Sequence, residues 1–162
     1  MSAKNRSQTD AQPVSGPSVR LAVDELAPEV ASAMAALDAA SRRSTLDRGL
    51  LELVRVRSSQ LNGCAYCVDL HSRDARQQGE SERRLFALPV WRETPLFTSR
   101  ERVALALAEA GARLSEGPVP EPVYQQAASE FSAKELADLI WVIAVINAWN
   151  RLGAIARPWP LS

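Results

Sequence analysis

The chain has 162 residues, 46% of them apolar and 23% charged. That suits one globular domain with a real hydrophobic core and excludes an intrinsically disordered chain. Lys+Arg and Asp+Glu both total 19, so the formal net charge is zero, which argues against a protein that grips nucleic acid or an anionic membrane through a basic surface.

Residues 1 to 18 are polar, with Pro13, Gly16 and Pro17 among Ser, Thr and Gln; a disordered tail is expected there and a folded domain over 19–162. Lys4 and Arg6 are followed by no apolar stretch, so no secretory signal is read. A first helix is expected from Pro28 to about Ala40, with the proline in its first turn. Ser44 or Thr45 would cap the next, with Asp47 near its positive end. Leu50, Leu51, Leu53, Val54 and Val56 bury that helix, and Glu52 lies among them. Asn62–Gly63 is a turn signal.

The cysteine segment opens another helix, running to about Gln78. A short one over Ser81–Leu88 would stop at Pro89. Ser99 starts a further amphipathic helix through Leu107, and Pro122 opens one to Ser129. Ser132 with Glu135 matches a capping box for a last helix to about Arg151. Its Leu139–Ile146 run is far short of the ~20 residues a membrane helix needs. It is apolar around too much of its circumference for a solvent-facing helix, so it is central or partly buried against another subunit. No alternating strand pattern emerges, and the expected fold is all-α with about six to seven helices.

Cys64–Ala65–Tyr66–Cys67 is a C-x-x-C pair in a chain read as cytoplasmic, where structural disulfides are rare. On a helix, Cys64, Cys67 and His71 share one stripe. Cys64 would lie in the first turn, where the dipole favours a thiolate, and His71 would exchange a proton with Cys67. The pair can close a disulfide after a first oxidation. The competing reading is zinc held by Cys64, Cys67 and His71, which needs a fourth ligand from a carboxylate or another subunit. Two inert core cysteines are a third reading. Glu52 amid leucines needs a partner or a raised pKa; Arg55, one turn on, is the simplest partner. Trp91, Arg92 and Trp149 are given no site role, large aromatics being more often core.

Glu52, a twelve-residue step to Cys64–Ala65–Tyr66–Cys67, and His71 four residues later resemble the AhpD-like alkylhydroperoxidase family, part of the wider carboxymuconolactone decarboxylase superfamily. Arg73–Asp74–Ala75–Arg76, Leu88–Pro89–Val90–Trp91 and Ile146–Asn147–Ala148–Trp149–Asn150–Arg151 extend the resemblance. It implies an all-helical homo-oligomer, trimer or hexamer, with no cofactor. Cys67 would attack the hydroperoxide, Cys64 would resolve the sulfenic acid as a disulfide, and Glu52 with His71 would form the proton relay. A dithiol, on a lipoyl domain or a thioredoxin-like protein, would reduce the enzyme again. The chain departs from the best-known members at Tyr66, where they carry a second histidine. The alternatives in function are a general disulfide reductase, a redox-sensing oligomer, or a lactone decarboxylase by superfamily analogy.

Overall fold

A computed structural model describes Gly16 and residues 18–161. The expected tail over 1–18 lies, except for Gly16 and Ser18, outside the described residues. Among those described there are eight α-helices, one 3-10 segment and no strand. They are α1 (Val23–Leu26), α2 (Pro28–Ser41), α3 (Arg48–Asn62), α4 (Ala65–Gln77), α5 (Glu82–Ala87), α6 (Ser99–Ala112), α7 (Glu121–Glu130) and α8 (Ala133–Ala156), with the 3-10 segment at Leu88–Glu93. The all-α expectation holds; the extra helix is the four-residue α1, too short to leave a periodic signal.

The helix starts show which polar side chain won each competition for free backbone N–H groups. Asp47, not Ser44 or Thr45, caps α3 by accepting from the Leu50 N–H at 2.9 Å. Ser44 instead bonds the Asp138 carboxylate on α8 and accepts the Leu46 N–H. Thr98, one residue before the expected start, forms a capping box with Glu101. The Ser132–Glu135 box is present as read. Pro89 does not stop the chain's coiling: α5 ends at Ala87 and the proline sits in the first turn of the 3-10 segment, where a missing N–H costs little. At the end of α3, Gly63 adopts φ 68°, a left-handed cap that a Cβ would strain.

The most enclosed helix is α3, buried without interruption from Leu50 to Ser59. One side, through Leu50, Leu51 and Val54, packs with Ala104, Leu107, Leu139 and Val142 from α6 and α8. Another, through Leu53 and Val56, packs with Leu88, Trp91, Phe97 and Leu105. Of its buried polar residues, Glu52 meets His71 on α4 and pairs with Arg55, Arg57 pairs with Glu109 on α6, and Ser59 meets Asn150 on α8. The last helix is longer than its Leu139–Ile146 run suggests. It has 24 residues and is long and apolar enough, by length and composition, to cross a membrane. Leu136, Leu139, Val142, Ile143, Val145 and Ile146 are buried in the domain, whereas Ile140 and Trp141 are exposed. Its apolarity therefore serves two faces: one lines the core, and one is uncovered in the isolated chain.

Candidate active site

Three helices meet at the cysteines. The α3–α4 turn is tied to α8 by amides: Asn62 Nδ2 donates to Asn147 Oδ1 at 2.8 Å and to Asn150 Oδ1 at 3.1 Å. Asn150, fully buried, donates in turn to Ser59 Oγ, and Ser59 donates to the Arg55 carbonyl. Buried amides without such partners would cost about 1–3 kcal/mol each, so this network holds the turn in one place. Sequence reading gave Asn147 and Asn150 no role. Two asparagines three residues apart, on a helix otherwise so apolar, were the available signal.

Cys64 is not in the first turn of α4. It is the N-cap, with extended backbone angles (φ −87°, ψ 95°), and the Cys67 N–H donates to its Sγ at 3.3 Å. The two Cα atoms lie 5.3 Å apart, and the sulfurs are joined as a Cys64–Cys67 disulfide. Both cysteines are buried, at 2% and 3% exposure. On the far side is Gly153 of α8: a Cβ there would lie 2.4 Å from Cys64 Sγ and 3.6 Å from Cys67 Sγ. Only a glycine lets the helix backbone pass this close to the pair.

The proton-handling residues sit beside them. His71 and Glu52 are both buried, with His71 Nδ1 and Glu52 Oε2 2.8 Å apart. An ionised carboxylate only accepts, so Nδ1 carries the hydrogen and Nε2 is left without a hydrogen bond among the described residues. The other carboxylate oxygen, Oε1, accepts from Arg55 Nη1 at 2.6 Å, with Arg42 Nη1 at 3.8 Å. Glu52 is therefore both the Arg55 partner and the His71 partner. Burial pushes its carboxyl upward, but the His71 hydrogen bond and the Arg55 charge outweigh that and hold it below its ordinary value of 4.5.

A cavity of about 240 Å3 opens on this cluster, and Cys67, His71, Tyr66, Trp149, Trp159 and Arg42 line it. Tyr66 stacks at a tilt on Trp159, with ring centroids 5.2 Å apart, and Trp149 meets Trp159 edge-on at 5.6 Å. Trp159 follows α8, after a left-handed Arg157 (φ 46°) turns the chain back. Its Nε1 donates to Asp24 of α1 at 2.7 Å. Trp149 thus has a place at the site that sequence reading withheld from it, and Trp159 was missed; a tryptophan between Pro158 and Pro160 was its only signal. Trp91 and Arg92 lie elsewhere. Trp91 Nε1 and Arg57 Nε donate to the buried Glu109 at 2.9 and 2.7 Å, Arg92 pairs with the same carboxylate, and its guanidinium lies 4.1 Å over the Trp91 ring.

The zinc reading meets a different arrangement from the one it needs. The sulfurs are bonded to each other, and a disulfide sulfur is not a thiolate ligand. Glu52, His71 and Asp74 do bring ligand atoms within 4.8 Å of one another. Arg55 and Arg42 already compensate Glu52, and Arg42 also reaches Asp74 at 4.0 Å, so these carboxylates are accounted for as ion-pair partners.

The carboxymuconolactone decarboxylase family model matches residues 28–110. The uncharacterized protein YdfG of Bacillus subtilis is 35% identical over 135 residues, 83% of this chain and 92% of the relative. A solved structure from Agrobacterium tumefaciens, a protein of unknown function for which an antioxidant-defence AhpD role has been suggested, superposes with a TM-score of 0.86 at 31% identity, over 90% of this chain and 99% of the other. The debrominase Bmp8 shares the fold at 21% identity, with a TM-score of 0.76 over 85% of this chain and 74% of its own. With the helical fold and the cysteine pair in hand, these matches place the chain: it belongs to the carboxymuconolactone decarboxylase family, as an AhpD-like member.

Proposed function

We propose that this protein is a thiol-dependent alkyl hydroperoxide reductase. The observation that carries the reading is a dithiol pair whose second sulfur opens on a cavity beside a histidine held by a buried, ionised carboxylate. In the reduced enzyme the free Nε2 of His71 would take the Cys67 proton, with Glu52 stabilising the imidazolium. The Cys67 thiolate would attack the outer peroxide oxygen. The O–O bond breaks, the alkoxide takes the proton from His71 and leaves as alcohol, and Cys67 becomes a sulfenic acid. Cys64 sulfur would then displace hydroxide, which leaves as water, and form the Cys64–Cys67 disulfide. A dithiol, carried on a lipoyl domain or a thioredoxin-like protein, would reduce it, most simply in the cytoplasm.

Tyr66 stands at the cavity wall, packed on Trp159. It favours an organic hydroperoxide over hydrogen peroxide, because Tyr66, Leu70, Trp149 and Trp159 give an alkyl group apolar surface to bury against. It is also the feature behind the second reading, a general disulfide reductase or redox sensor with slow peroxide turnover. The test is anaerobic titration of reduced protein with cumene hydroperoxide. One equivalent is expected to remove both thiols and yield one equivalent of alcohol; both thiols retained and no alcohol formed, even with excess hydroperoxide, would leave only the disulfide reductase or sensor.

The uncovered side of α8 supports a homo-oligomer, trimer or hexamer. Ile140 and Trp141 are exposed there, and Trp141 borders a hollow with Leu37 and Ala40 of α2. A second copy would bury these side chains. Light scattering should find an oligomer at micromolar concentration and a monomer after Trp141→Glu; a wild-type monomer would remove this proposal.

A further inference from the structure

The two sulfurs are equally buried but do not have the same surroundings. Cys67 lines the aromatic cavity. Cys64 lines neither that cavity nor its neighbour of about 220 Å3, bounded by Gly63, Ala65, Gly153 and Pro160. Its outer side is closed by the α8 backbone at Gly153. Attack on a disulfide needs a thiolate at one chosen sulfur, and both access and the quality of the leaving group decide which. Access points to Cys67. The leaving group points the same way. Cys64 as N-cap accepts the Cys67 N–H, so the thiolate expelled there is met by a helix N-terminus.

We propose that regeneration runs through the same cavity as the oxidation: the external dithiol attacks Cys67, Cys64 leaves, and the mixed disulfide forms on Cys67. This rests on the thiol redox reading of the site. The new bond joins the reductant sulfur to Cys67 Sγ, the Cys64–Cys67 bond breaks, and its electron pair goes to Cys64. The second thiolate of the reductant then attacks its own bound sulfur, closes a cyclic disulfide and releases Cys67. The two protons of the dithiol end on Cys64 and Cys67, and two electrons pass to the protein. Gly153 acts as a positioning residue, keeping Cys64 seated at the cap and out of reach. Trp159 acts as a size filter, since its ring and those of Tyr66 and Trp149 bound a space that suits a slim alkyl dithiol on a flexible arm.

The test uses oxidised wild-type protein and a monothiol, which cannot complete the second step. After brief exposure to 2-mercaptoethanol, acid quench and alkylation, peptide mass spectrometry should find the adduct on Cys67 and the alkyl group on Cys64, by at least about tenfold over the reverse. Adduct on Cys64, or an even split, overturns the proposal. A second measurement compares reduction rates with glutathione and 2-mercaptoethanol. Trp159→Ala should raise the glutathione-to-mercaptoethanol ratio severalfold by widening the wall, and an unchanged ratio rules out the cavity as the route. Neither measurement contains peroxide, so failure of the peroxidase reading would appear in the cumene hydroperoxide titration and not here.

Discussion

Cys67→Ser is expected to abolish hydroperoxide consumption, lowering the rate by about three orders of magnitude or more, as removal of a nucleophile does. The substitution is small and buried, so the fold should survive it. What is lost is the sulfur that lines the cavity beside His71. Cys64→Ser should behave differently. Its Cys67 can still be oxidised once, but no partner sulfur closes the disulfide, so consumption should stop after about one equivalent. A sulfenic-acid reagent such as dimedone should then label Cys67. Peroxide consumption unchanged in Cys67→Ser would sink the assignment, and a Cys67→Ser protein that gives the single-equivalent burst would exchange the two roles. The dipole argument favoured Cys64 as the more acidic thiol. Its position as N-cap keeps that argument and turns its use around, since an acidic thiol is a good leaving group as well as a good attacker.

Glu52→Ala should be the most destabilising substitution at the site, costing about 3–5 kcal/mol in denaturant unfolding at neutral pH. The reason is what remains. Arg55 is 3% exposed, and its partner at 2.6 Å would be gone, leaving a buried cation uncompensated. The same change releases His71 Nδ1 from its acceptor, so thiolate formation at Cys67 should slow by about 10²–10⁴. Glu52→Gln keeps the shape and separates the two effects. It should retain more stability than the alanine variant while still slowing the chemistry. The pH dependence follows from the sign of the shift. The folded carboxyl lies below its ordinary 4.5, so its stabilising ionisation is complete above that value and is lost as pH falls through the lower folded one. The wild type should therefore lose stability steeply below about pH 4.5, and Glu52→Gln should show a shallower acid limb. Identical acid limbs would show that Glu52 is not held as an ion in the folded protein.

How far the sequence could be read depended on how local each feature is. Helix spans from α2 to α8 were visible because periodicity, capping boxes and proline placement are short-range. The choice of Asp47 over Ser44 as a cap was not, because Asp138, 94 residues away, is what occupies Ser44. At the site, Glu52, Cys64, Cys67 and His71 lie within twenty residues of sequence on two consecutive helices, and the structure brings all four together. The position of Cys64 was read one step wrong: a uniform helix cannot reveal that its first residue is extended. Asn150, Gly153 and Trp159 were out of reach for a different reason. Each acts on the site from the last helix or beyond it, and no spacing rule connects residue 153 to residue 64.

The hydrogen bond from Trp159 to Asp24 spans 135 positions and joins two outlying parts of the fold over the cavity. During synthesis the chain emerges from its N-terminal side, and the cysteine helix, which ends at Gln77, is complete about eighty residues before Trp159 appears. A growing chain therefore carries a bare dithiol, without α8 behind it or an aromatic wall in front. On the proposed function, the wall that selects the substrate is completed only once Trp159 has been added. Before that, nothing of the Trp159 side of the cavity stands between the cysteines and solvent.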